Sequence, residues 1–216
     1  MARRSQPDPA APAGLPDLSL ELEFGRGTES VCGVDEAGRG PWAGPVAVAA
    51  VILRAGRVPA GLNDSKLLST AARERLYAEI CAEHQVALVY ASARRIDDTN
   101  IRLATLWAMR QAVSALPHPP DAALFDGRDV PAGLACRGRA VIGGDRLSLS
   151  IAAASIVAKV SRDRLMSRLA ESYPGYGFDR HMGYGTAAHA EALDRLGPCP
   201  LHRSSFKPVA AASRRR

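Results

Sequence analysis

The spacing of apolar and polar residues changes period several times along this 216-residue chain. Val31-Cys32-Gly33-Val34 is a short unbroken apolar run ahead of two carboxylates, which predicts a buried strand over 31–36. Val46, Val48, Val51, Ile52 and Leu53 predict a second strand over 45–53. The Pro41–Pro45 link is short enough for a hairpin, so these two strands are expected to be antiparallel. Ser69 is placed to cap a helix reaching about His84, with Leu76 and Ile80 on one face. Residues 86–93 return to a strand pattern. Asp97-Asp98-Thr99-Asn100 is expected to open a helix that ends near Leu116, before Pro117. Short apolar strands are predicted over 122–125 and 140–142. From about Ser148 to Ser172 the pattern predicts a long helix, too apolar on most faces to lie on a surface. A loop rich in glycine and aromatics covers 174–184. A last helix, capped by Thr186, reaches Leu196, and 198–208 reads as an irregular arm.

Alternating strands and helices indicate an α/β domain, and the early hairpin makes its sheet of about five strands mixed rather than parallel. The expected organisation is a flexible leader over 1–28, one domain over 29–208 and a basic tail over 209–216. Hydrophobic residues make up 47% of the chain, which suits a globular core. No apolar run approaches the roughly 20 residues that span a bilayer. The Pro/Ala-rich start lacks the apolar centre of a secretory signal, so the cytoplasm is the expected location. Cys32, Cys81, Cys136 and Cys199 form no Cys-x-x-Cys pair and read as free thiols. Cys199-x-x-His202 resembles half of a zinc site, with no second half in view.

The net charge of +6 suggests a polyanionic partner, although Arg3, Arg4 and Arg214-Arg215-Arg216 supply most of that excess. Sharper information lies at the strand ends. Val34 runs into Asp35-Glu36, Phe125 into Asp126, and Ile142 into Gly143-Gly144-Asp145. Either aspartate beside a glycine is, alone, an ordinary turn. Three acidic strand ends in one chain are harder to explain that way, because ligands of open α/β sheets gather at strand ends. Four carboxylates brought together would repel unless cations stood between them. Oxygen ligands suit Mg²⁺ or Mn²⁺ and not zinc. Two such ions about 3.5–4 Å apart activate water and stabilise the leaving oxygen of a phosphodiester. Gly38 and Gly40, just after the first acids, permit a sharp bend and a close approach of ligand to backbone.

Asp35-Glu36-Ala37-Gly38-Arg39-Gly40-Pro41 with Ala43-Gly44-Pro45-Val46 resembles the opening signature of type 2 ribonuclease H, ribonuclease HII. Further pieces match in order: Asn63-Asp64-Ser65-Lys66, Asp126-Gly127, and Gly144-Asp145 with Ser150 to Val160 and Arg162-Asp163. Tyr173-Pro174, Tyr176-Gly177, His181, Gly183-Tyr184, Thr186 and His189 follow, then His202-Arg203 and Ser205-Phe206. The resemblance spans about Val31 to Pro208. Trp42, Leu67, Phe125 and Met182 depart from the usual residues, and none of them removes an acid. The loss of lysines at 67 and 182 bears on phosphate contacts.

The resemblance implies a ribonuclease H-like fold with a helical C-terminal region. It implies that Asp35, Glu36, Asp126 and Asp145 hold two Mg²⁺ or Mn²⁺ ions. It also implies cleavage of the RNA strand of RNA–DNA hybrids and nicking 5′ of single ribonucleotides in duplex DNA, leaving 5′-phosphate and 3′-hydroxyl ends. Gly38, Arg39 and Gly40 would read the ribose 2′-hydroxyl, which separates RNA from DNA. Tyr184 would stack on the neighbouring sugar, and Lys66 and Asn100 would meet phosphates. The chain is expected to work as a monomer, removing ribonucleotides from DNA. Outside the resemblance, Tyr184 reads as a half-buried loop anchor, Lys66 as a solvated lysine, and His181 and His189 as loop stabilisers. Two other functions stay open: a silent hybrid-binding module, and a small-molecule phosphatase, which the positive charge suits less.

Overall fold

Five strands pair into one mixed sheet in the order β3-β2-β1-β4-β5, numbered along the chain. The computed structural model describes residues 14–27 and 29–214. It begins with α1 (Ser19–Phe24), then the hairpin β1 (Val31–Ala37) and β2 (Val46–Ile52), then α2 (Thr70–Glu83) and β3 (Gln85–Ala91). Next come α3 (Ala93–Asp98), α4 (Ile101–Ser114), β4 (Ala122–Asp126), β5 (Arg137–Val141) and the long α5 (Leu149–Ser172). The chain closes with α6 (Phe178–His181), α7 (Ala187–Leu196) and α8 (Lys207–Ser213). β1 is antiparallel to β2 and β2 to β3, while β1–β4 and β4–β5 are parallel. The expected antiparallel hairpin and mixed five-stranded sheet are therefore present.

Side chains alternate across a strand, and that period sorts β2 into two cores. Val46, Val48 and Ala50 pack with Ala104, Ala108, Met109 and Ala112 of α4. Ala49 and Val51 pack on the other face with Leu76 and Ile80 of α2 and with Ala153, Ala154, Ile156 and Val157 of α5. Both faces of the central strands are covered, which is why β2 reads as a continuous apolar run. Residues 150–158 of α5 are all buried, as their all-round apolarity predicts. Small residues let α5 sit close to the sheet. A Cβ added at Gly33 of β1 would lie 2.1 Å from the carbonyl carbon of Ser150 and 2.2 Å from the amide nitrogen of Ile151.

The structure differs from the sequence reading in three places. Within 14–27, which the sequence reads as flexible leader, α1 is helical and docked; residues 1–13 lie outside the described residues. Leu20 and Phe24 pack against Val31, Ala122, Leu124, Val141 and Ile151. Glu21 Oε1 accepts from the Ser150 amide at 2.8 Å and the Ser148 hydroxyl at 2.6 Å, serving the open N-terminus of α5. A further helix, α3, precedes the helix expected from Asp97-Asp98-Thr99-Asn100. Ser92 caps α3 and Asn100 caps α4, and the chain breaks direction at Thr99 between them. The expected basic tail begins inside α8, whose Val209 and Ala212 are buried with Leu193; Arg215 and Arg216 lie outside the described residues. Among the described residues no helix is long and apolar enough to cross a membrane.

Because β1 and α5 touch backbone to backbone at Gly33, that glycine has no room for even one methyl. Gly33→Ala is expected to destabilise the fold by about 3 kcal/mol, the upper part of the usual cost of overpacking. Urea unfolding of the two proteins measures it; a loss below about 1 kcal/mol would mean that α5 moves away freely.

Candidate active site

The parallel pairing of β1 and β4 brings the first acids together. Val34 stands opposite Phe125, so Asp35 and Asp126 come one step further along adjacent strands. β5 continues the edge, with Val141 opposite Asp126. Gly143 then adopts a left-handed φ of 66°, and a short 3₁₀ turn over Gly144–Arg146 swings Asp145 back toward the strand ends. The Gly144 amide donates to Asp126 Oδ1 at 2.7 Å, which locks this turn to β4. Asp35 and Asp145 are buried, and Glu36 and Asp126 are half-buried.

The electrostatics of this cluster are unfavourable. Burial pushes Asp35 well above the ordinary carboxylate range, and repulsion from Glu36, Asp126 and Asp145 adds to it. Glu36 is also raised, by burial and by Asp126, against the opposing pull of Arg39. Asp126 is raised by burial and by Asp145, against the Gly144 amide. Asp35, Glu36 and Asp126 are thus each raised in part by a neighbouring acid. Among the described residues no three His, Cys, Asp or Glu side chains form a ready-made group that could hold a metal ion. The protein's own cations lean in instead. Lys66 Nζ stands 3.3 Å from Asp145 Oδ2 and 3.7 Å from Asp64 Oδ1, and Arg39 Nη1 stands 3.3 Å from Glu36 Oε1. Burial of the Lys66 ammonium works against its charge, but Asp145 and Asp64 outweigh it and raise its pKa. Lys66 is thus a stand-in cation on a long, exposed stem. The donor set is all oxygen and strongly anionic, which fits hard divalent cations such as Mg²⁺ or Mn²⁺.

Gly38, directly after β1, has φ 95° and turns the chain sharply. A Cβ there would fall 1.9 Å from Nε of Arg162, so this glycine makes room for a buried arginine beneath it. Gly40 is open on its outer side, where a Cβ would lie 3.8 Å from Cε1 of Tyr184. The structure thus brings the Gly38-Arg39-Gly40 turn and Tyr184 together. Tyr184 is 45% exposed, a ring standing out of its loop. Lys66 belongs to the acid cluster. Asn100 spends its Oδ1 on the Leu103 amide, at 2.9 Å.

Sequence reasoning missed what lies under this turn. Arg162 and Arg203 are both buried there. Burial, with Arg162 close by, pulls Arg203 down to about 9, and burial lowers Arg162 as well. A chain of imidazoles supports the Tyr184 loop. His189 Nδ1 lies 2.9 Å from the Tyr184 carbonyl, so it donates. Its Nε2 must then accept from His202 Nε2, 3.1 Å away. His202 Nδ1 in turn accepts from the Cys199 amide at 3.0 Å. Every proton in the chain has one place, and both rings are neutral. The Cys199-x-x-His202 spacing serves this chain.

The family model described as Ribonuclease HII matches residues 32–209. A ribonuclease HII of Parvibaculum lavamentivorans is 57% identical over 195 residues, covering 90% of this chain and 72% of its own. One from Azorhizobium caulinodans is 60% identical over 199 residues, covering 92% of this chain and 76% of its own. The crystal structure of ribonuclease H2 from Pyrococcus horikoshii OT3 superposes with a TM-score of 0.74 at 25% identity, covering 86% of this chain and 98% of that one.

The imidazole chain makes a pH prediction. Burial and the neighbouring His189 lower His202 from its ordinary 6.5 to about 4. Between those values the unfolded chain binds more protons than the folded one, so stability present above pH 6.5 is lost as pH falls toward 4. His202→Gln removes that titration. Urea midpoints at pH 7 and pH 4.5 should fall more steeply in the parent than in the variant; parallel falls would show that His202 protonates without cost.

Proposed function

The chain belongs to the ribonuclease HII family, and on that premise we propose that it nicks duplex DNA 5′ of a single embedded ribonucleotide through two divalent cations. It is an enzyme, a metal-dependent ribonuclease H. The observation that carries the finer reading is the repulsion among Asp35, Glu36, Asp126 and Asp145, which Lys66 and Arg39 meet only in part. A module that merely bound hybrids would gain affinity by losing these acids, since each repels a phosphate.

Asp35, Glu36, Asp126 and Asp145 are the residues that would hold the cations. When bound, the cations supply an activated water and charge stabilisation at the leaving 3′ oxygen. The sheet holds Asp35 and Asp126 in fixed register, so they need no rearrangement to act together. Lys66, freed from Asp145, would turn its ammonium to a substrate phosphate. Asn100 keeps only its amide nitrogen for such a contact, its oxygen being the α4 cap. The Gly38-Arg39-Gly40 backbone would read the 2′-hydroxyl, and Tyr184, against Gly40, would stack on the adjoining sugar. All these groups come from one chain, which supports a working monomer. On this reading the catalytic unit spans 29–208, with α1 as a brace on the N-terminus of α5.

The decisive assay uses duplex DNA carrying one ribonucleotide, with and without Mg²⁺ or Mn²⁺. A metal-dependent nick 5′ of that nucleotide, with 5′-phosphate and 3′-hydroxyl ends, is expected; an intact duplex with both metals sinks the reading. Asp126→Asn should lower the cleavage rate by at least about 100-fold while hybrid binding persists, because preorganised charge at the reacting phosphate is lost. Near-normal turnover would remove Asp126 from the site.

Tyr184→Ala should harm nicking at a single ribonucleotide more than cleavage of a continuous RNA strand in a hybrid. Comparing kcat/KM on the two substrates decides it. Equal losses would leave Tyr184 an ordinary loop anchor.

A further inference from the structure

Two guanidinium groups lie beneath the Gly38-Arg39-Gly40 turn, one from α5 and one from the C-terminal arm. Arg162 is 1% exposed and Arg203 0%. Every hydrogen bond the structure gives their side chains ends on a backbone carbonyl, three from Arg162 and four from Arg203. Burying such charge without a carboxylate is expensive, and an apolar side chain would fill the space at lower cost. The carbonyls they hold explain their presence better than packing does.

Arg203 Nη2 donates to Gly38 O at 2.6 Å and Nη1 to Arg39 O at 2.8 Å. Its Nε and Nη2 also reach Gly44 O, at 3.0 and 2.8 Å. The first two carbonyls of the turn therefore point inward. The described peptide bonds are trans, and in a planar trans peptide the N–H points opposite to the C=O. The N–H groups of Arg39 and Gly40 are thus turned outward, on an exposed stretch of chain. Among the described residues neither has an acceptor. Arg162 acts on the facing loop. It donates to Ala43 O at 3.2 Å, Pro45 O at 2.9 Å and Met182 O at 2.9 Å. Met182 has φ 51°, a left-handed conformation that costs a residue with a side chain about 1 kcal/mol, and Tyr184 follows two residues later.

We infer that Arg203 and Arg162 are positioning residues for ribose recognition. Arg203 aims the Arg39 and Gly40 N–H groups at a 2′-oxygen by holding the preceding carbonyls inward, and Arg162 sets the turn that presents Tyr184. The inference rests on the reading above that this turn recognises the 2′-hydroxyl. It adds that selectivity is set from below, by two side chains that never touch the substrate.

The test measures affinity for a duplex with one ribonucleotide and for the same duplex in all-DNA form, both in Ca²⁺ so that binding is read without turnover. Arg203→Lys keeps the charge but cannot reach three carbonyls. It should lower the preference for the ribonucleotide duplex about 10-fold, the worth of a hydrogen bond, while affinity for all-DNA duplex stays within about 2-fold. A purely structural arginine would weaken both duplexes alike or neither, and either result overturns the inference. If the parent protein itself shows no preference, the functional reading fails instead. Should Arg203→Lys not fold by circular dichroism, Asp97→Ala takes its place. Asp97 is partly exposed and accepts from the amides and hydroxyls of Ser204 and Ser205, next to Arg203, so its loss frees that segment without opening the core. A loss of preference of about 3-fold is expected there, and an unchanged preference overturns the inference.

Discussion

Carboxylates that repel one another, held together by a sheet that cannot let them part, are the constraint on which this structure depends. Asp35 sits in β1 and Asp126 at the end of β4, in a register fixed by backbone hydrogen bonds. Asp145 is tied in by a glycine turn and by the Gly144 amide on Asp126. The repulsion cannot relax by strand movement, because both faces of the sheet carry packed helices. It is met by charge instead, with a lysine on one side and an arginine on the other. The backbone thus holds these acids in fixed positions, and only the long side chains around them are free to move.

The same economy governs the neighbouring turn. Its shape comes less from its own sequence than from Arg203, which grips its carbonyls from within, while Arg162 holds the facing loop. Acids at the strand end and guanidiniums under the turn place opposite charges close together in space, the guanidiniums coming from distant parts of the chain. On the proposed reading, the acids take metal and the outward N–H groups take a hydroxyl oxygen.

The fold was largely legible in the sequence, since both helical and strand periods are strong and the caps Ser69 and Thr186 stand where the pattern puts them. The acids were legible because buried strands rarely end in charge. The residue-level meaning of Gly38 was not. Its missing side chain reads as room for a ligand, yet the nearest atoms belong to Arg162. Nothing local marks Arg203 as buried, because its partners are carbonyls more than 150 positions away in the chain. The docking of α1 was hidden for another reason: Leu20 and Phe24 make only a short apolar face just after a Pro/Ala-rich stretch, and Glu21 finds its partners only in the folded state. Helix α3 was missed because Ser92 lies at the end of a strand and is a cap only once the chain turns.

One feature of α5 bears on how such a chain can vary in length. Ile151 sits against the backbone of β1 at Gly33, and eleven residues later Arg162 sits under Gly38, just past the strand's far end. Eleven residues make three helical turns with about 20° to spare, so both residues face β1 across about 16 Å. The helix acts as a ruler between the core and the turn. One residue inserted between these two points would rotate Arg162 by about 100° and carry its guanidinium off the carbonyls. Substitutions along the outer face of α5 are open to drift, whereas its length between 151 and 162 is locked, and natural length changes belong in the loops.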